Sequence, residues 1–264
     1  MALERGSALR ESAACALPLV MVHGGLPPQE TFSAQRELGR RRPLLAPTLP
    51  IGSAAGAARR RRDFASDGEA LAGMLAAQAP AGAHLLGVSY GAVSALACAV
   101  RAPALVRSLT LVEAPLFALA LDVPHVARFV AALERPFDRA VCTRAEASAA
   151  FAAFTSPGVG QGPDVGARIA GVMSFVRGAR PPAQARFDLQ RLRAAGVPAL
   201  VVSGAHHEAL SVVSARLAEQ LGAQLLELPG WGHSPQRSPQ FNGALVRFLD
   251  VVEAGTRMAT AGMR

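Results

Sequence analysis

The stretch that most constrains what this chain can fold into is residues 84–91, H-L-L-G-V-S-Y-G. The apolar pair Leu85 and Leu86 leads into Gly87-Val88-Ser89-Tyr90-Gly91, and a run of small residues at helical spacing follows over 92–100. That order predicts a strand, a sharp turn and a helix. In a G-x-S-x-G turn the serine adopts a strained conformation and stands clear of the sheet edge. Side chains at 87 or 91 would collide with the neighbouring strand or helix where the chain reverses over one residue. In a sequence rich in glycine and serine the pentapeptide alone is a weak signal, and its flanking strand and helix give it weight.

The rest of the chain alternates around this turn. Residues 17–22 (L-P-L-V-M-V) read as a buried parallel strand that ends in His23-Gly24-Gly25-Leu26. A short helix over 31–38, a second strand over 43–47, a basic Gly/Ala-rich loop over 48–62 and an amphipathic helix over 64–78 follow, the last with Asp63 or Ser66 as N-cap. After the turn helix, 106–112 (V-R-S-L-T-L-V) is a strand that delivers Glu113 at its end.

Over 114–196 the strand pattern lapses into helical segments at 124–133, 144–154, 165–176 and 184–194. A strand over 197–203, a helix over 210–221, a last strand over 224–228 and a closing helix over 238–252 resume the alternation, and 253–264 reads as a frayed tail. The expectation is an α/β fold, a mostly parallel doubly wound sheet, with 1–113 and 197–264 as core and 114–196 as an inserted helical cap or lid. Ligands in such sheets sit beyond the carboxyl ends of the strands, the edge that holds Gly24-Gly25, Ser89 and Glu113.

Composition bounds the function classes. A chain of 264 residues, 51% of them hydrophobic, can bury a large core. The formal charge of +8 would raise nucleic acid as a partner, but all 27 basic residues are arginine and no aromatics interleave the runs at 40–42 and 59–62. These runs read as solvated surface, so neither nucleic acid nor membrane is expected as a partner. Cys15, Cys98 and Cys142 are odd in number and lack metal-ligand spacing, which points to reduced thiols and a cytoplasmic location. No apolar run approaches transmembrane length.

A serine hydroxyl needs a base to take its proton, and the base needs an acceptor on its other ring nitrogen. Of six histidines, His233 in Gly230-Trp231-Gly232-His233, after the last strand, is best placed; His84 precedes the turn strand, His125 falls in the cap and His23 in the first turn. Trp231 either lines a pocket or packs under the histidine turn. The adjacent pair His206-His207 invites a metal reading, but no second ligand cluster accompanies it in the sequence. Neither a metal nor a cofactor is expected.

In His23-Gly24-Gly25, Gly87-Val88-Ser89-Tyr90-Gly91 and Gly230-Trp231-Gly232-His233, in that order, the chain resembles the α/β-hydrolase fold family, most closely its cofactor-free members with a His-Gly turn. The resemblance covers nearly everything after residue 16. It implies that Ser89 attacks a carbonyl carbon and His233 relays the proton. The backbone N–H of Tyr90 and that of Gly25 or Leu26 would form the oxyanion hole, with His23 holding the turn.

The chain departs from the family twice. Fifteen or so residues ahead of Leu17 are too few for the two strands that usually come first, which leaves a trimmed edge and a homodimer as a possible state. The family's Asp, about three residues after the glycine that ends the strand before the last helix, is replaced at that offset from Gly204 by His207. Glu113 and Glu208 remain as the acid, with Glu113 preferred. The expected activity is cleavage of an ester, thioester or similar carbonyl bond of a small apolar substrate by a serine hydrolase. The alternative is an impaired hydrolase-fold protein that binds without turnover.

Overall fold

The computed structural model describes residues 16–49, 62–134 and 178–261. In chain order the elements are β1 (Leu19–Val22), α1 (Pro28–Thr31), a 3-10 helix at Ser33–Arg40, β2 (Leu44–Leu45), α2 (Phe64–Gln78), β3 (Ala83–Val88), α3 (Tyr90–Arg101) and β4 (Val106–Val112). There follow α4 (Pro124–Glu134), α5 (Leu189–Ala194), β5 (Ala199–Ser203), α6 (Glu208–Leu221), β6 (Gln224–Glu227) and α7 (Pro239–Ala261). All six strands are parallel, in the order β2-β1-β3-β4-β5-β6.

Alternation along each strand sends its side chains to two separate cores. Val20, Val22, Leu85, Leu109, Leu111 and Val201 pack on one face with residues of α2, α3 and α6. Leu19, Met21, Leu86, Val88, Val112, Leu200 and Val202 pack on the other with Phe241, Leu245 and Leu249 of α7. β1, β3, β4 and β5 are buried on both faces, and β1 and β5 accordingly read as nearly continuous apolar runs, while β3 and β4 also bury His84, Ser108 and Thr110. Each such leucine or valine contributes about 2 kcal/mol of transfer free energy.

The turn after β3 has the geometry its glycines predict. A Cβ at Gly87 would lie 2.5 Å from Ala92 Cα, and one at Gly91 would lie 2.1 Å from Val22 O, so only glycine lets α3 rest against β1. Asp63 caps α2, its side chain accepting from Ala65 N at 2.7 Å.

Three expectations need correction. The helix expected over 184–194 starts only at Leu189: Ala185 is extended, and Asp188 ends the irregular stretch by accepting from Arg191 N at 2.9 Å. The expected frayed tail is helical to Ala261, and its first residue, Glu253, is held by Arg42 Nη1 at 2.8 Å and His84 Nε2 at 3.0 Å. The arginine runs are not wholly solvated. Arg40 and Arg41 are exposed, but Arg42 is buried against Glu253, and Arg62 is buried against Asp67 at 2.8 Å. A carboxylate inside the fold offsets the desolvation of each guanidinium.

Of the cap segment, 114–134 and 178–196 are described; the helices expected at 144–154 and 165–176, Cys15, Cys142, the residues ahead of Leu17 other than Ala16, and 59–61 lie outside the described residues. Cys98 is a free, buried thiol, its pKa pushed up to about 12 by burial. Among the described residues no helix is long and apolar enough to cross a membrane.

Candidate active site

Three successive strands end in strained backbone. Among the described residues, the non-glycine positions with positive φ are Ser89 after β3 (55°), Glu113 after β4 (49°) and Ala205, two residues after β5 (49°). Such conformations cost of order 1–3 kcal/mol each and persist where the surrounding packing enforces them. Here they aim three loops at one point on the carboxyl edge of the sheet.

At that point Ser89 Oγ lies 2.9 Å from His233 Nε2, and His233 Nδ1 lies 3.0 Å from Glu113 Oε2. His233 and Glu113 are buried, while Ser89 is half-buried at the head of α3. The carboxylate is also held from β5: Gly204 N donates to Glu113 Oε1, and Ser203 Oγ lies 3.4 Å from the same oxygen. Burial alone would raise the Glu113 pKa. The hydrogen bond and charge of His233, with the Gly204 N–H and the nearby His206, outweigh it and hold the carboxyl below the usual carboxylate range. An anionic Glu113 makes Nδ1 the protonated nitrogen of His233, which leaves Nε2 to accept from the serine.

Gly204 does a second thing that the sequence did not single out. A Cβ there would lie 1.9 Å from Gly232 O, so its lack of a side chain lets the β5 loop close on the histidine turn after β6. Its spacing marks it only as a glycine after a strand. The contact links chain segments nearly thirty residues apart and has no local signature.

The first turn sits against the elbow. A Cβ on Gly24 would meet Val88 O at 3.0 Å, Ser89 Cβ at 3.1 Å and Tyr90 N at 3.4 Å, which brings Gly25 and Leu26 beside the start of α3. Leu49 N donates to His23 Nε2 at 3.0 Å, so the neutral ring carries its proton on Nδ1 and donates to Gly24 O at 3.0 Å. Burial, then the charge of Arg62, lower the His23 pKa to about 4. The Tyr90 phenol points inward, where its hydroxyl donates to Arg62 O at 3.3 Å and burial raises its pKa.

Other candidates fall elsewhere. Glu208 begins α6 with a carboxylate 77% exposed, 3.7 Å from His125 Nε2. His207 caps α6, its Nδ1 accepting from Ala209 N at 3.2 Å, and its ring lies 3.9 Å from that of Phe129 on α4. His206 turns the other way, with Nδ1 3.7 Å from Glu113 Oε2. Trp231 is 38% exposed.

A parallel sheet with a serine elbow after its third strand and a histidine turn after its last is the arrangement of the α/β hydrolases. The model of the alpha/beta hydrolase family matches residues 19–241, and the chain belongs to that family. Solved structures share the fold. They include carboxylesterase CesB (YbfK) from Bacillus subtilis, with TM-score 0.65 and 20% identity over 89% of this chain and 84% of that one. A hydrolase from Pseudomonas aeruginosa PA01 has TM-score 0.62 and 23% identity over 90% and 91% of the two chains. The 2-hydroxy-6-oxo-6-phenylhexa-2,4-dienoate hydrolase BphD from Rhodococcus sp. strain RHA1 has TM-score 0.66 and 17% identity over 89% and 91%. No curated protein matches the sequence significantly.

Proposed function

We propose that this α/β hydrolase is a serine hydrolase that cleaves an ester, thioester or similar carbonyl bond of a small, largely apolar substrate through an acyl-enzyme. The observation that carries this reading is the continuous hydrogen-bond chain from Ser89 Oγ through both ring nitrogens of His233 to Glu113. As Oγ forms its bond to the carbonyl carbon, the serine proton passes to Nε2 and the carbonyl electron pair moves to oxygen. Glu113 stays ionised and stabilises the imidazolium. The N–H groups of Tyr90 and of Gly25 or Leu26 are the donors for the oxyanion, and one such donor is worth about 3 kcal/mol in a transition state.

When the tetrahedral intermediate collapses, the carbon–leaving-group bond breaks and the leaving oxygen or sulfur takes the proton from Nε2. Water then repeats the sequence on the acyl-enzyme and releases the acid. A serine at the elbow favours acyl transfer over reactions that begin with alkylation of an elbow carboxylate. Esterase and hydrolase neighbours lend the same support at the level of the fold.

The test is labelling with a fluorophosphonate probe, read by intact mass. One adduct on the wild type and none on Ser89→Ala is the expected result. A folded wild type that takes no adduct would overturn the reading and leave a protein that binds without turnover.

A further inference from the structure

The acid of the proposed triad has two imidazoles on it. Glu113 Oε2 lies 3.0 Å from His233 Nδ1 and 3.7 Å from His206 Nδ1, and one donor atom from each of the three residues lies within 4.8 Å of the other two. The two rings face each other edge-on, with centroids 5.8 Å apart. Tetrahedral zinc with nitrogen and carboxylate ligands at about 2.1 Å sets its ligand atoms about 3.4 Å apart. The two measured separations bracket that value. Two imidazoles and one carboxylate are also the donor types that zinc takes in three-ligand sites.

We infer that Glu113, His206 and His233 form a site for a borderline divalent ion of the zinc type, and that filling it switches the hydrolase off. The switching half rests on the serine-hydrolase reading above. An ion on His233 takes the Nδ1 lone pair. The proton that Nδ1 carried moves to Nε2, so the ring stays neutral but its Nε2 now donates instead of accepting. Ser89 then has no base. Glu113, whose other oxygen stays anchored by Gly204 N–H, exchanges an imidazole N–H for the ion. His206 supplies the ligand that a triad does not otherwise need, and its side chain is only 5% exposed.

The site draws on loops after β4, β5 and β6, which explains why the His206-His207 pair looked isolated in the sequence. The structure separates that pair: His207 serves α6, and His206 serves the acid.

Two measurements test the inference independently. Zinc titrated into metal-free Ser89→Ala by calorimetry reads binding without any need for catalysis. One site is expected there, and adding His206→Phe should remove it; His206→Gln serves if the phenylalanine variant does not fold. Titrations in which Ser89→Ala binds no zinc, or in which the His206 variants bind it unchanged, overturn the site. Fluorophosphonate labelling of the wild type should slow about tenfold when free zinc is about ten times its dissociation constant, recover with EDTA, and be insensitive to zinc in His206→Phe. Zinc bound with labelling undiminished overturns the switch. Failure of labelling in the metal-free wild type counts against the hydrolase reading, and the titration still decides the site.

Discussion

The same pair of strands carries a Ser–His–Glu hydrogen-bond chain at each end. Past the carboxyl ends of β3 and β4 are Ser89, His233 and Glu113. Near their amino ends, about 16 Å away, His84 Nδ1 lies 2.8 Å from Ser108 Oγ and its Nε2 lies 3.0 Å from Glu253 Oε1. Residue types and distances are nearly the same, yet the surroundings differ. Ser108 is a fully buried strand residue directly opposite His84 in the register, so no substrate reaches it. Ser89 is half-buried at a helix head beside a glycine turn. Arg42 also lies on Glu253, at 2.8 Å, so that carboxylate already has a permanent cation. Like hydrogen-bond geometry thus sits in two different settings: Ser89 has strained backbone and is half-buried, whereas Ser108 lies within a strand and is fully buried. The lower chain is a clasp that fastens α7 to the sheet.

The sharpest way to separate the two is to neutralise each acid. Glu113→Gln should lower turnover by on the order of 10³- to 10⁴-fold, since it favours the wrong tautomer of His233. Glu253→Gln should leave turnover in place and cost about 2 kcal/mol in a denaturant melt, because it leaves buried Arg42 without its anion. Should Glu208→Gln abolish activity while Glu113→Gln spares it, the acid lies on α6.

Acid pH should loosen both ends. Burial lowers the pKa of His84, and His23 has a pKa near 4 against the ordinary 6.5. Between pH 6.5 and 4 the unfolded chain binds a proton that folded His23 refuses, so this stability is present above pH 6.5 and falls as pH drops toward 4, and the lowered pKa of His84 acts in the same direction. His23 alone accounts for about 3 kcal/mol of this loss. Urea midpoints across that window should fall steeply for the wild type and less steeply for His23→Gln.

The smallest effect concerns strain. Ser89→Gly should abolish labelling but raise stability by about 1 kcal/mol, since glycine accepts φ 55° readily. Ser108→Gly should destabilise, because it leaves His84 Nδ1 without its partner and loosens a central strand.

The upper site was more legible than the clasp for a physical reason. An elbow needs glycines at fixed offsets from its serine, and buried strands need apolar runs, so Gly87, Gly91 and the β1, β3, β4 and β5 patterns show in one dimension. Glu113 could be preferred to Glu208 from its place after a strand, and the structure adds that Glu113 meets His233 while Glu208 lies by His125. Arg42 reads locally as part of a solvated arginine run, His84 as the residue before the turn strand and Glu253 as the start of a tail, so nothing local joins these three distant segments. His206 was illegible for the same reason. It acquires a neighbour only when β5 is laid next to β4.

With the carboxylate carried by β4, the loop after β5 takes on a mechanical task. Its His207 stacks on Phe129 of α4, while three residues earlier Gly204 holds Glu113 by a backbone N–H. A single short loop is thus bolted at one end to a helix from the region between β4 and β5 and at the other to the charge beneath the histidine. The conformation of that loop is therefore fixed from both sides, by a ring contact at His207 and by a carboxylate at Gly204.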